Sequence, residues 1–328
     1  LLNHPDVELT HVYAGDNIGL PLSAALPNLE GKTDLHFLEV PADGHPPPVD
    51  ILMLALPHPV SHRVVKRALK YDVRIIDMSG AFRVDDPVAY KKFYGEDHPM
   101  PELLTSFKYG LPELNRAELR GTRFVASPGC FATAIELSMV PLARAGWLSG
   151  PLYCTGITGS SGAGHNPTRT THHAMRMSNL RVYKPLTHTH APEIKEALTR
   201  AGGTDLEVDF VPVAAPLSRG ILATSFTTLP GGVSAEDVAK AYADSYDRER
   251  FVVVPKGRLP ELLGVVRSNC VEVGFAIGEL DSSGRRPITC IAAIDNLVKG
   301  GAGQAVQNLN LMLELEESTA LTDLASFP

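Results

Sequence analysis

No run of about 18 apolar residues occurs in this 328-residue chain, so no membrane-spanning helix is expected. Basic residues are outnumbered, with 30 Lys and Arg against 37 Asp and Glu, a formal net charge of −7, and they form no basic run. That argues against nucleic-acid binding. It leaves small anionic ligands open, because the field inside a pocket is set locally. Cysteine is scarce: the four residues Cys130, Cys154, Cys270 and Cys290 include no C-x-x-C pair. A disulfide scaffold, a zinc knuckle and a thioredoxin-type site are thereby disfavoured. Reduced thiols in a cytoplasmic protein are the simpler reading. Repeats and low-complexity tracts are also lacking. No G-x-G-x-x-G lies between a first strand and a helix, and the chain opens Leu-Leu-Asn-His-Pro rather than with Met. That opening reads as the tail of a helix already under way, which places the first strand and its glycine turn upstream of Leu1.

What is present is a globular composition, 44% hydrophobic and 20% charged, at a length suited to about two domains. Strand signals at 7–14, 35–40, 50–56, 73–78 and 122–126, with helical spacing at 60–69, predict an α/β unit with a doubly wound parallel sheet. From Cys130 the texture changes. A helix over 131–145 precedes longer strands at 152–158, 206–214, 221–228, 270–277 and 288–294, with helices at 192–201 and 235–246. Their polar alternation predicts a second, α+β domain with a mixed or antiparallel sheet. The last helix, 303–314, is expected to return to the first domain. The expected division is 1–129 with about 297–328, and 130–296.

Four segments carry chemistry. In Ser127-Pro128-Gly129-Cys130-Phe131 a strand ends, a turn follows and a cysteine opens a helix. Unsatisfied N–H groups there favour a thiolate, so Cys130 is either a nucleophile or a small residue buried at a domain junction. His188 and His190 lie just before a helix, as acid/base candidates or two ligands of a metal site that lacks a third. Gly159-Ser160-Ser161-Gly162-Ala163-Gly164 follows a strand and is either a cofactor-approach loop or a mobile one. Ser79 and Arg83 follow the 73–78 strand, where Arg83 either holds a phosphate or pairs with Asp85 or Asp86 at the surface. Asn296 joins the last strand to the last helix, either as a contact to a nicotinamide or as part of a simple turn into that helix.

These segments, with Leu54-Ala55-Leu56-Pro57-His58, Tyr109-Gly110-Leu111-Pro112-Glu113-Leu114, His188-x-His190-x-Pro192-Glu193-Ile194 and Ser218-Arg219-Gly220-Ile221, run in an order that resembles the N-acetyl-gamma-glutamyl-phosphate reductases of the aspartate-semialdehyde dehydrogenase-like superfamily. The resemblance implies a Rossmann-type cofactor domain, an α+β catalytic and oligomerisation domain, and an acyl phosphate reduced by NADPH in arginine biosynthesis. It implies Cys130 as nucleophile and His188 as acid/base. It also implies Pro57, Ser161, Gly162, Ala163, Gly164 and Asn296 as cofactor contacts. Ser79, Arg83, His190 and Glu193 fall near substrate or phosphate, and no metal is implied. A homodimer or homotetramer is expected, with no nucleic-acid or membrane partner. Tyr13-Ala14-Gly15-Asp16 lacks the Ser or Arg that welcomes a 2′-phosphate, which keeps NAD in play. Two alternatives remain: the lysine-pathway reductase of a carrier-bound aminoadipyl phosphate, and a non-catalytic nucleotide sensor. The first would need a basic patch for its acidic carrier, and none is visible in the sequence.

Overall fold

The computed structural model describes residues 1–41, 47–164 and 166–325. The strands are β1 (Val12–Tyr13), β2 (Phe37–Leu38), β3 (Ile51–Leu54), β4 (Arg74–Asp77), β5 (Lys108–Tyr109) and β6 (Phe124–Ala126), then β7 (Ser149–Thr158), β8 (Arg181–Val182), β9 (Thr204–Ala214), β10 (Ile221–Leu229), β11 (Val252–Val253), β12 (Val271–Ile277) and β13 (Arg286–Ile294). The helices are α1 (His58–Ala68), α2 (Pro87–Tyr94), α3 (Pro112–Leu119), α4 (Cys130–Arg144), α5 (His173–Arg176), α6 (His190–Arg200), α7 (Ala235–Tyr246) and α8 (Gly303–Met312).

The first sheet is parallel, in the order β3-β4-β6-β5. Its register aligns Leu54 with Asp77, and Asp77 and Tyr109 with Ala126, so the carboxyl ends of the strands form one edge. Ligands bind at that edge in open α/β sheets. Ser79, Cys130 and the start of α1 all follow strands that end there. β1 and β2 pair separately. The strand expected at 7–14 shrinks to Val12–Tyr13, because only Phe37–Leu38 offers it a ladder. Ala305, Leu309, Leu311 and Met312 of α8 pack with Ile76, Leu119 and Val125 of the first unit.

The second sheet is mixed, in the order β11-β12-β13-β10-β7-β9-β8, with β11/β12 and β7/β9 parallel and the other pairs antiparallel. Alternate residues of β10, Ile221, Ala223, Ser225, Thr227 and Leu229, turn inward, as a sheet covered on one face requires. The covering layer is α4, flanked by α6 and α7, and α4 is buried from Phe131 to Ala143. Pro141 lies inside α4 and cannot donate to Leu137. The Tyr246 hydroxyl of α7 donates to that carbonyl instead, at 2.5 Å, and the Tyr242 hydroxyl donates to Ser138 O at 2.6 Å. A Ser234–Asp237 capping box starts α7, the helix that carries both tyrosines. Among the described residues no helix is long and apolar enough to cross a membrane.

Candidate active site

Cys130 is the first residue of α4, directly above the edge of the first sheet. Two glycines shape its surroundings. A Cβ on Gly129 would lie 2.3 Å from His190 Nε2, and a Cβ on Gly300 would lie 2.7 Å from Cys130 Cβ. Only glycine lets both segments approach so closely. The thiol departs from expectation. Burial pushes its pKa up to about 11, although Arg83 and the helix N–H groups pull it down. Desolvation outweighs the helix terminus, so the free protein holds a thiol rather than a thiolate.

Arg83 forms the floor. Its Nε donates to Ser127 O at 2.8 Å and its Nη2 to Met78 O at 2.7 Å, while Nη1 stands 3.8 Å from Glu193 Oε2. It thus ties together the turns after β4 and β6. Burial works against its charge, and Glu193 restores it. Neither Asp85 nor Asp86 is its partner, since Asp85 pairs with Arg200. Ser79 is turned inward: its hydroxyl donates to buried Asp77 at 2.8 Å and accepts from Ala81 N at 3.1 Å. That leaves Ser79 little capacity for a phosphate.

Glu193 is buried beneath Cys130. Its Oε1 accepts from Gly129 N at 2.7 Å and from the Tyr109 hydroxyl at 2.8 Å. The same hydroxyl lies 2.8 Å from Glu136 Oε1. One phenol carries one proton, so it cannot donate to two carboxylates. Among the described residues Glu136 forms no ion pair, its Oε2 is buried without a partner, and burial and Glu193 raise its pKa well above the usual carboxylate range. Glu136 is therefore the protonated member, donating to Tyr109, which donates to Glu193. Sequence reasoning did not select Glu136, and read Tyr109 only as part of a motif. Apolar neighbours in α4 disguise the one, and both act through contacts distant in sequence.

His188 and His190 stand together, with ring centroids 4.5 Å apart, both in contact with Phe131, the residue after Cys130. His190 N donates to His188 Nδ1 at 3.2 Å. That leaves the proton of the neutral His188 ring on Nε2. Burial, then Lys184 and Arg83, pull the His188 pKa down to about 4, and burial and His188 lower that of His190. Both rings are neutral at pH 7. His190 Nδ1 is buried without a partner. Beside this pair a cavity of about 310 Å³ is lined by His58, Gly80, Arg83, Phe93, Tyr94, Lys184 and Thr189.

The loop after β7 is knit to the 217–220 segment: Ser160 N donates to Leu217 O and Ser161 N to Ser218 O. Asn296 Oδ1 accepts from Gly220 N at 2.6 Å, and its Nδ2 donates to Ser161 Oγ at 3.1 Å. Ser161, Gly162 and Asn296 thus meet at one place. A Cβ on Gly162 would have nothing nearer than 3.6 Å, so the loop is open on that side. Ala163 and Gly164 complete the turn, and Gly164 is left-handed with φ +86°. Pro57 stands apart from this group, at the start of α1 beyond β3. Among the described residues no three His, Cys, Asp or Glu side chains gather as a metal set.

The sequence shows no run of basic residues, but the fold gathers three that are apart in the chain. Arg169, Arg176 and Arg181, scattered along the chain, line one cavity of about 230 Å³ together with Thr170, Met175 and Asn179. A local basic patch exists that the overall charge conceals.

Comparison with known proteins agrees with this architecture. The semialdehyde dehydrogenase NAD-binding domain matches residues 1–122, and the semialdehyde dehydrogenase dimerisation domain matches residues 130–296. The N-acetyl-gamma-glutamyl-phosphate reductase of Desulforudis audaxviator is 38% identical, covering 100% of this chain and 94% of that one. The LysW-L-2-aminoadipate 6-phosphate reductase of Deinococcus radiodurans is also 38% identical, covering 100% and 92%. The fold is similar to that of aspartate semialdehyde dehydrogenase II from Vibrio cholerae, with a TM-score of 0.64 at 18% identity over 86% of this chain and 84% of that one. Its two domains, matched in order along the chain, show that this protein belongs to the semialdehyde dehydrogenase family and is an oxidoreductase.

Proposed function

We propose that this protein reduces N-acetylglutamyl 5-phosphate to N-acetylglutamate 5-semialdehyde, releasing phosphate, with NADPH as reductant. The observation that carries this reading is Cys130 at the start of α4, with the Arg83 floor beneath it and two neutral imidazoles beside it. In this reading residues 1–129 with 297–328 hold the cofactor, and 130–296 carry catalysis and assembly into a cytoplasmic homodimer or homotetramer. The open turn at Gly162, next to the Ser161–Asn296 pair, fits a nicotinamide: hydroxyl and amide donors lie beside space a ring can fill. Ser161, Gly162, Ala163, Gly164 and Asn296 would hold that ring, and Pro57 a more distant part of the cofactor. NADPH supplies the hydride when bound.

The residues divide the work. Cys130 Sγ attacks the acyl carbon, the S–C bond forms and the C–O bond to phosphate breaks. Because the thiol is protonated, a base is needed. His190, packed on Gly129 with an unpartnered Nδ1, takes the thiol proton, and the departing phosphate is protonated by solvent. This moves the base role from His188 to its neighbour. His188 Nε2–H donates to the carbonyl oxygen, which carries negative charge after attack and again after hydride addition. When the hemithioacetal collapses, the aldehyde leaves and His190 returns the proton to Cys130. Glu193, through Gly129 N, holds the nucleophile's turn in place.

A second reading, reduction of an aminoadipyl phosphate borne on an acidic carrier protein, is favoured by the arginine cavity and by Met177, Leu180, Val182 and Leu186, exposed in the same segment. Assaying the two acyl phosphates side by side, with NADPH and with NADH, tests both. Turnover of neither substrate would refute the reaction assigned here. A preference for NADH would mean that Asp16, exposed beyond β1, outweighs the resemblance.

A further inference from the structure

The arginine cavity contrasts with the guanidinium groups that stand beside carboxylates. Arg83 faces Glu193, Arg200 faces Asp85, Arg116 faces Glu249 and Glu317, and Arg219 faces Asp295. Among the described residues no carboxylate forms an ion pair with Arg169, Arg176 or Arg181. Arg176 Nη2 reaches only Thr158 O, at 3.3 Å, and its Nε is buried with no partner at all. Arg181 lies over the Tyr183 ring at 6.0 Å. A buried donor left unpaired costs about 1–3 kcal/mol, and like charges gathered without a counter-ion add to that. Such a cluster is stabilised when an anion enters it.

Its position says which anion. Tyr183 stacks edge-on to His188, with centroids 5.9 Å apart, and its phenol senses Cys130 as well as Arg176 and Arg181. Thr158, which Arg176 touches, ends β7 immediately before the Ser161 loop. The cavity therefore borders the site on the side of His188 and the loop. The larger cavity contains Arg83 and Lys184, and residues 181–184 run from one to the other. An acyl phosphate of a dicarboxylic amino acid has one anionic end that reacts and another that does not.

We propose that Arg169, Arg176 and Arg181 bind the carboxylate at the non-reacting end of the substrate, so that two basic cavities read the two anionic ends of one molecule. The assignment rests on the acyl-phosphate reading given above. It holds for a carboxylate on a free acyl amino acid and for one on an amide-linked aminoadipate. Arg176 is the central residue, because its guanidinium is the most buried of the three and has a spare donor.

The test uses the full chain and an unreactive probe. Binding of N-acetylglutamate and of γ-glutamyl-aminoadipate is measured by calorimetry for the wild type and for Arg176→Met, Arg181→Met and Arg176→Lys. Thermal unfolding checks that each variant is folded. Arg176→Met and Arg181→Met are expected to weaken binding of at least one probe by about 10-fold or more, with Arg176→Lys intermediate because it keeps charge but loses the two-pronged donor. The probe that responds identifies the source of the carboxylate. KM for the preferred acyl phosphate should rise about 10-fold in Arg176→Met and Arg181→Met. Folded variants that bind both probes as the wild type does would overturn the proposal. Arginine-dependent binding in a protein that reduces no acyl phosphate would leave the carboxylate site standing and overturn the reaction instead.

Discussion

The floor under Cys130 and the arginine cavity beside it use the same cation in opposite ways. Beneath Cys130, Arg83 is partnered within the protein: two backbone carbonyls accept from its guanidinium, Glu193 stands 3.8 Å away as its counter-charge, and Glu193 in turn accepts from Gly129 N and Tyr109. In the cavity, Arg176 keeps a buried N–H with no acceptor. A buried charge paired within the protein helps to hold the site together, whereas a buried donor left without a partner still has one to gain from a ligand. The difference separates a cation that has the protein's own carboxylate beside it from cations that have none.

Breaking the nucleophile should have the largest effect. Cys130→Ala is expected to keep the fold and lower turnover on the order of 10⁴-fold or more, read by steady-state kinetics. Substantial residual turnover would rule out a thioester. His188→Asn comes next, with kcat falling roughly 10²-fold from loss of the oxyanion donor. If His190 is the base, His188→Asn should leave the rate of Cys130 alkylation nearly unchanged, and His190→Asn should slow it.

Attacking the floor should cost stability as well as rate. Glu193→Gln leaves Arg83 buried without its counter-charge, and breaking such a pair typically costs about 3–5 kcal/mol. A lower Tm with slower turnover is expected. A variant as stable as the wild type would show that Arg83 does not depend on Glu193 as its counter-charge. The pH response sharpens the same contrast. With the thiol pKa pushed up to about 11 by burial, alkylation of Cys130 should keep accelerating from pH 7 to 10 without a plateau. A plateau near pH 7 would mean that the helix terminus dominates after all. His188 works in the other direction. Its pKa is lowered to about 4 against 6.5 for a free imidazole, so the folded state binds fewer protons between those values. Its contribution is complete above pH 6.5 and is lost as pH falls toward 4, so Tm should decline over that window.

The smallest effect is the most diagnostic. Glu136→Gln replaces a protonated carboxyl with a neutral donor of the same shape and should leave Tm and kcat close to wild type. Glu136→Leu should cost about 1–3 kcal/mol, because Tyr109 loses a partner in a buried site. Equal damage from both variants would mean that Glu136 is ionised.

Much of the architecture was legible before the fold was known, and the reasons are local. Polar alternation in the later strands, clearest along β10, pointed to a mixed or antiparallel sheet, and the Pro128-Gly129 turn placed Cys130 at a helix start. The short strands were read too long, because a ladder ends where its partner ends, and 7–14 meets only Phe37–Leu38. Ser79 looked like a phosphate ligand from its place after β4, yet Asp77 beneath it claims the hydroxyl.

By itself, the sequence determined the order of elements, the family resemblance and the neighbourhood of the nucleophile. These follow from periodicity, turn chemistry and spacing, which act over a few residues. Tertiary structure alone decided the charge states and partnerships. Glu136 and Glu193 share Tyr109 from 27 and 84 positions away. Burial, which no short window of sequence reports, makes Cys130 a thiol and His188 a neutral ring. The three arginines line one cavity only because α5, the edge strand β8 and the segment before α5 come together in the fold, an arrangement that no short window of sequence reports.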